Sequence, residues 1–363
     1  MAIFDRFSSF LSHNRSSTTP SPDSQATQLN SLADIQQDGP LFGLASRNPG
    51  AHGPLTPSEA NGSTSGGSRT SGGGEIGSQT FVSSGSNLEL VVNFDASTAN
   101  APQAFDNAVA VVAQDFVNQF TTPTPVTVTI DVGYGEVGGS KVSAGALGES
   151  EADYQTVPGS TAAAQYQTLQ AAYANNPLGP LPASDPVTGN QQWWVTSAEG
   201  KALGLFPNSD SVDGYVGFSS ANGIWGWDPN SISSSQYDFE SVVAHEFSEV
   251  MGRATLNGDR YPGSKLPEYM PLDLFHFSDA SPGTRSYSGT VAGYFSWGDD
   301  LTEYKQFSTN RQGDFSDWQP VAGSSDAFDA SGGLGTASPV SEADYNVMQA
   351  VGWLGTGWKG PWG

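Results

Sequence analysis

The chain has 363 residues, with 13 Lys plus Arg against 37 Asp plus Glu, a net charge of −24 and no cysteine. Without cysteine there are no disulfides, thiolate nucleophiles or thiolate metal ligands, so any metal must rest on His, Asp, Glu or other oxygen donors. The acidic excess repels nucleic acid and anionic membrane surfaces, and no apolar run is long enough to cross a bilayer.

Residues 1–79 read as a leader. After an amphipathic start that lacks the apolar centre of a secretory signal, the segment is rich in Ser, Thr, Gly, Pro, Asn and Gln, as in "NGSTSGGSRTSGGG". Such a composition cannot bury enough apolar surface to offset its ordering entropy, so disorder is expected. His13 and His52 fall in it and are set aside. A folded domain is expected over 80–355, with a short tail over 356–363.

Within the domain, "LELVVNFD" (88–95) alternates as a strand does, and 102–120 carries apolar residues at helical spacing. A second strand is expected over 125–137 and a helix of strong formers over 161–176. A third strand follows over 212–220, then the most regular helix, "DFESVVAHEFSEVMG" (238–252). The chain then turns irregular until a last helix over 341–354, where Ser341 or Asp344 can cap the start. No internal repeat is present. The order predicts an α+β fold, with a mixed twisted sheet, a long central helix, and an irregular C-terminal part ending in a helix.

The central helix carries the clearest chemical pattern. Asp238 suits its N-cap and Gly252 its end. His245 and Glu249 lie one turn apart, about 40° from each other around the helix axis. That i, i+4 spacing lets two side chains grip one metal ion, with Glu246 beside them as a general base. Zinc accepts a nitrogen and a carboxylate oxygen as ligands, so the pair is chemically acceptable. The same spacing also suits an ordinary exposed face, with Glu249 and Arg253 as an ion pair and His245 at its rim.

"YDFESVVAHEFSEVMGR" resembles the active-site helix of the metzincin clan of metalloproteases. It resembles more closely a bacterial metalloprotease family marked by H-E-I-S-E-V-M-G-R. The likeness extends to "IDVGYGEVGG", "SAGALGES", "VDGYVGFSS", "PLDLFHFSDASPGTRSYS", "YFSWGDD", "GDFSDW" and "VMQAVGW", across most of 88–354. It implies a metzincin-like fold and a secreted zinc endopeptidase acting on protein or peptide substrates, exported without a conventional signal. It also implies one catalytic zinc held by His245 and Glu249, with Glu246 as base.

The sequence departs from the wider clan at Glu249, where a histidine is usual, and at Thr255, where the third ligand would stand. The third ligand is therefore expected from 267–279, as Asp273 or His276. Asp273 could instead cap a loop or pair with Arg253 or Arg285, and His276 could pack between Phe275 and Phe277. Tyr269, Tyr287 or Tyr294 could stabilise an oxyanion. The acidic clusters "SWGDD", "GDFSDW" and "SSDAFDASGG" suit either structural calcium or solvated turns. The tryptophans of "QQWW" and "GIWGWDP" suit a cleft lining or a core. Two other readings stay open: a catalytically inactive binding or surface module on the same fold, and a carbohydrate-binding or structural protein.

Overall fold

The computed structural model describes residues 43–46 (backbone only), 77–176, 178–187, 189–258, 265–289, 291–297, 304–310 and 314–357. Most of the expected leader, the tail beyond 357, and Asp299 and Asp300 of "SWGDD" lie outside them.

The architecture is mixed α+β, with one six-stranded sheet, several small ones and five α-helices among the described residues. The main sheet contains β1 (Gly43–Ser46), β2 (Gly77–Val82), β3 (Leu88–Phe94), β4 (Val126–Tyr134), β5 (Gly148–Ala152) and β6 (Gly214–Phe218). The spatial order is β1-β5-β6-β4-β3-β2. Strands β3, β4 and β6 run parallel, β2 and β5 pair antiparallel to their inner neighbours, and β1 runs parallel to β5. Strand β3 shows why the sequence was readable there, since its even and odd positions alternate between buried and half-buried. Strand β2 begins at Gly77, three residues inside the expected leader, where it pairs with Phe94 at the end of β3.

The helices are α1 (Gln103–Gln119), α2 (Ala162–Ala172), α3 (Ser197–Ala202), α4 (Phe239–Val250) and α5 (Glu342–Ala350). Helix α4 is central but not long: it has 12 residues against 17 in α1. Every one of its residues is buried. Phe239 packs on Phe105 at 5.2 Å and Phe247 on Phe116 at 6.3 Å, which fixes α4 against α1. Truncating Phe247 to Ala would cost about 3–5 kcal/mol at such a site. On its other side α4 meets β5, where Gly148 allows the approach: a Cβ there would lie 2.5 Å from Glu246 Oε1.

Helix α4 ends as the sequence predicts. Gly252 takes φ 110°, its N–H donates to Glu249 O, and the Arg253 N–H donates to Ser248 O at 2.9 Å. These two bonds are a Schellman closure, and they turn Arg253 back under the helix. In α5, Ser341 Oγ accepts from Asp344 N and Asp344 Oδ2 accepts from Ser341 N, a reciprocal cap. Beyond α4 the chain is less irregular than expected. His276–Ser278, Gly293–Phe295 and Lys305–Gln306 form a small antiparallel sheet.

Candidate metal centre

His245 and Glu249 stand one turn apart on α4, with His245 Nε2 3.3 Å from Glu249 Oε1. The third group is Asp317, whose Oδ1 lies 3.1 Å from the same nitrogen. One ligand atom from each of the three falls within 4.8 Å of the others, and all three residues are buried. Tetrahedral zinc with bonds of about 2.1 Å separates neighbouring ligand atoms by about 3.4 Å, so the two measured spacings suit one small cation.

Several contacts hold these groups in place. His245 Nδ1 lies 2.9 Å from Ala327 O, which aims Nε2 at the two carboxylates. Ser150 Oγ, on β5, donates to Glu249 Oε2 at 2.7 Å. Asp317 is carried by its neighbour: Trp318 is buried, its indole N–H donates to Asp344 Oδ1 at 2.6 Å, and its backbone N–H donates to Phe328 O. The first turn of α5 thus anchors the segment that delivers Asp317.

Arg253 completes the cluster. It donates to Asp317 Oδ1 at 2.8 Å and to Glu249 Oε1 at 3.3 Å, its Nε donates to Ser248 Oγ, and its guanidinium lies 4.5 Å from the centre of the Phe328 ring. The i, i+4 pair between Glu249 and Arg253 therefore exists, but it is buried rather than exposed.

The electrostatics follow from this packing. Burial pulls the His245 pKa down, but the charge of Asp317 prevails and lifts it to about 9. Burial pushes Asp317 up, and His245 with Arg253 overcomes this and holds it ionised. Glu246 has both oxygens buried, with no N–H or O–H of the fold donated to them. Burial first, and then the neighbouring Glu249 charge, raises its pKa well above the carboxylate range in the metal-free form. Burial and the charges of Asp317 and Glu249 push Asp314 up to about 7.

The two residues expected as the third ligand do other work. Asp273 caps a turn, with its carboxylate accepting from the backbone N–H groups of Leu256, Asn257 and Met270. His276 holds its Nδ1 3.0 Å from Ser286 O and packs its ring on Phe307 at 5.0 Å. The structure brings Asp317 to the pair in their place. Thr255 accepts from the Asn257 amide. Tyr269 packs on Trp193 and Tyr287, and Tyr294 Oη accepts from Gly283 N. Of the acidic clusters, "GDFSDW" supplies Asp317, while Asp326 and Asp329 of "SSDAFDASGG" pair with Lys305. Among the described residues no other group of three or more His, Asp or Glu is disposed to hold a metal ion.

No protein-family model, curated protein or solved structure matches the chain. Among the described residues no helix is long and apolar enough to cross a membrane.

Proposed function

We propose that the protein is a zinc-dependent endopeptidase, with His245, Glu249 and Asp317 as ligands and Glu246 as general base. The observation that carries this reading is the convergence of three ligand atoms within 4.8 Å, beside a buried carboxyl that no fold donor satisfies. The donor set of one imidazole and two carboxylates suits zinc. Arg253 pairs with Glu249 Oε1 and Asp317 Oδ1, and Glu249 and Asp317 would each keep a further carboxylate lone pair to hold a cation.

When bound, zinc acidifies a water and polarises the scissile carbonyl. The charge of a bound cation would lower the raised Glu246 pKa, and the ionised carboxylate would then take the proton of the attacking water and return it to the leaving amine. Arg253 holds the two carboxylates in one orientation, and Ser150 holds the far oxygen of Glu249. The site is closed in this form, because the segment containing Ala327 and Phe328 lies over His245 and Arg253. Hydrolysis of a peptide therefore requires this cover to move.

The test is cleavage of an unfolded protein by zinc-loaded wild type beside Glu246→Gln. This reading expects a loss of roughly a hundredfold or more in the variant, the scale of a general base. Equal rates would overturn it.

A second reading is favoured by the same burial. Arg253 and His245 already pair with Glu249 and Asp317 without a cation among them. On that reading the cluster is a structural ion network on a non-catalytic module. It predicts no zinc uptake by the folded protein.

A further inference from the structure

A second concave site lies at the other end of α4. It is a cleft of about 660 Å³, within the range of small-molecule sites. Its floor is aromatic. Trp225 and Trp227 pack on each other at 6.3 Å and on Phe239, the first residue of α4, at 5.0 and 4.7 Å. Tyr134, at the end of β4, forms a wall and is braced edge-on by Phe105 at 5.2 Å.

Two features of this cleft bear on what it could bind. In a chain of net charge −24, none of its lining residues is charged. The fold also leaves some of its polar groups unused, although Ser97 and Gln236 are engaged. Among the described residues, no hydrogen bond engages the side chains of Asn100, Asn222 or Ser220, or the hydroxyl of Tyr134. Burial raises the Tyr134 pKa, so that hydroxyl remains a neutral donor and acceptor.

The scaffold beneath is fixed. The Trp225 indole N–H donates to Ser219 O at 2.8 Å and Gln236 donates to Trp225 O. Gly223, at φ 76°, makes the turn that presents Asn222. Gly135, at φ 83°, leaves the space that Ser220 Oγ needs, since a Cβ there would lie 2.6 Å from it.

Indole and phenol faces attract the apolar C–H faces of a sugar ring. Carboxamides and hydroxyls match vicinal ring hydroxyls, and the lack of cationic groups removes any preference for an acidic ligand. We propose that this cleft binds a neutral saccharide unit, with the ring against Trp227 and Tyr134 and its hydroxyls on Asn100, Asn222 and Ser220.

The test is calorimetric titration of the full chain with maltotriose, cellotriose, xylotriose and triacetylchitotriose, with trigalacturonate as the charged comparison. At least one neutral trisaccharide is expected to bind saturably and more tightly than trigalacturonate. Asn100→Ala and Asn222→Ala, at exposed positions, are each expected to weaken it roughly three- to tenfold, the effect of one neutral hydrogen bond. Trp227→Phe, which keeps the packing on Phe239, is expected to weaken it as well. Glu246→Gln is expected to bind the sugar as wild type does, which separates this site from the metal centre. The proposal is overturned if no neutral trisaccharide saturates, if trigalacturonate binds equally well, if the two amide variants bind as wild type, or if Glu246→Gln abolishes binding.

Discussion

Arg253 and His245 converge on one oxygen, Asp317 Oδ1, at 2.8 and 3.1 Å, and none of the three is exposed to solvent. Asp317 arrives on a segment far along the chain from α4. This contact closes the cluster, and it makes Asp317 the residue on which both the proposed metal site and the packing of Arg253 depend.

Replacing Arg253 is therefore expected to be costly. Arg253→Ala leaves two buried carboxylates without their cation, a loss of about 3–5 kcal/mol for a broken buried pair. Arg253→Lys should recover only part of it, since an ammonium cannot span Glu249, Asp317 and Ser248 as the guanidinium fork does. Urea unfolding of the metal-free protein measures both. A Lys variant as stable as wild type would show that the fork geometry is irrelevant.

Metal-free stability should fall as pH rises. Burial, then the hydrogen bond and charge of Asp95, lifts Glu136 to about 8. Burial first also places Asp329 at about 7 and Asp238 at about 6. Each of these folded values lies above its unfolded one. The folded state thus holds more protons through that window, and stability declines across it. His245 acts in the same direction higher up: raised to about 9, its contribution is complete below 6.5 and lost as pH rises through 9. The melting temperature in chelator is expected to be higher near about pH 5 than near about pH 8.5, with a shallower slope in Glu136→Gln. A flat or rising profile would contradict the assignment.

Glycine is required at two contacts of α4. At Gly252 an alanine meets both a φ of 110° and the Glu199 side chain 2.9 Å away, so Gly252→Ala should cost at least about 1 kcal/mol. At Gly148 the added methyl would press on Glu246 and Val242. Gly148→Ala is expected to lower peptidase activity more than it lowers the melting temperature. The reverse order would separate Glu246 from the chemistry.

The parts of this structure that were legible in the sequence are those set by local periodicity. His245 and Glu249 declare themselves through i, i+4 spacing, with Glu246 beside them, and α1, α4, β3, β4 and β6 through their apolar pattern. Strand β5 was not visible because "GESEA" has no apolar alternation. Its Glu149, Ser150 and Glu151 are buried, and Ser150 is kept there by its bond to Glu249. Asp317 was hidden for a different reason. "GDFSDW" reads as a turn, and no local rule couples it to a helix so far back in the chain. The available signal was an acid beside a tryptophan, and it becomes meaningful only once Trp318 is seen tied to Asp344. Asp273 stands close after α4 in the sequence, but a carboxylate that satisfies three backbone N–H groups is a cap.

The proposed centre is tested by the zinc content of wild type, Asp317→Ala and Asp273→Ala after equilibration with zinc and removal of the excess. Asp273→Ala controls for instability, since losing its cap should cost about 1–2 kcal/mol without touching the cluster. One zinc per chain is expected in wild type and in Asp273→Ala, and none in Asp317→Ala. Zinc-free wild type, or equal zinc in wild type and Asp317→Ala, would contradict it.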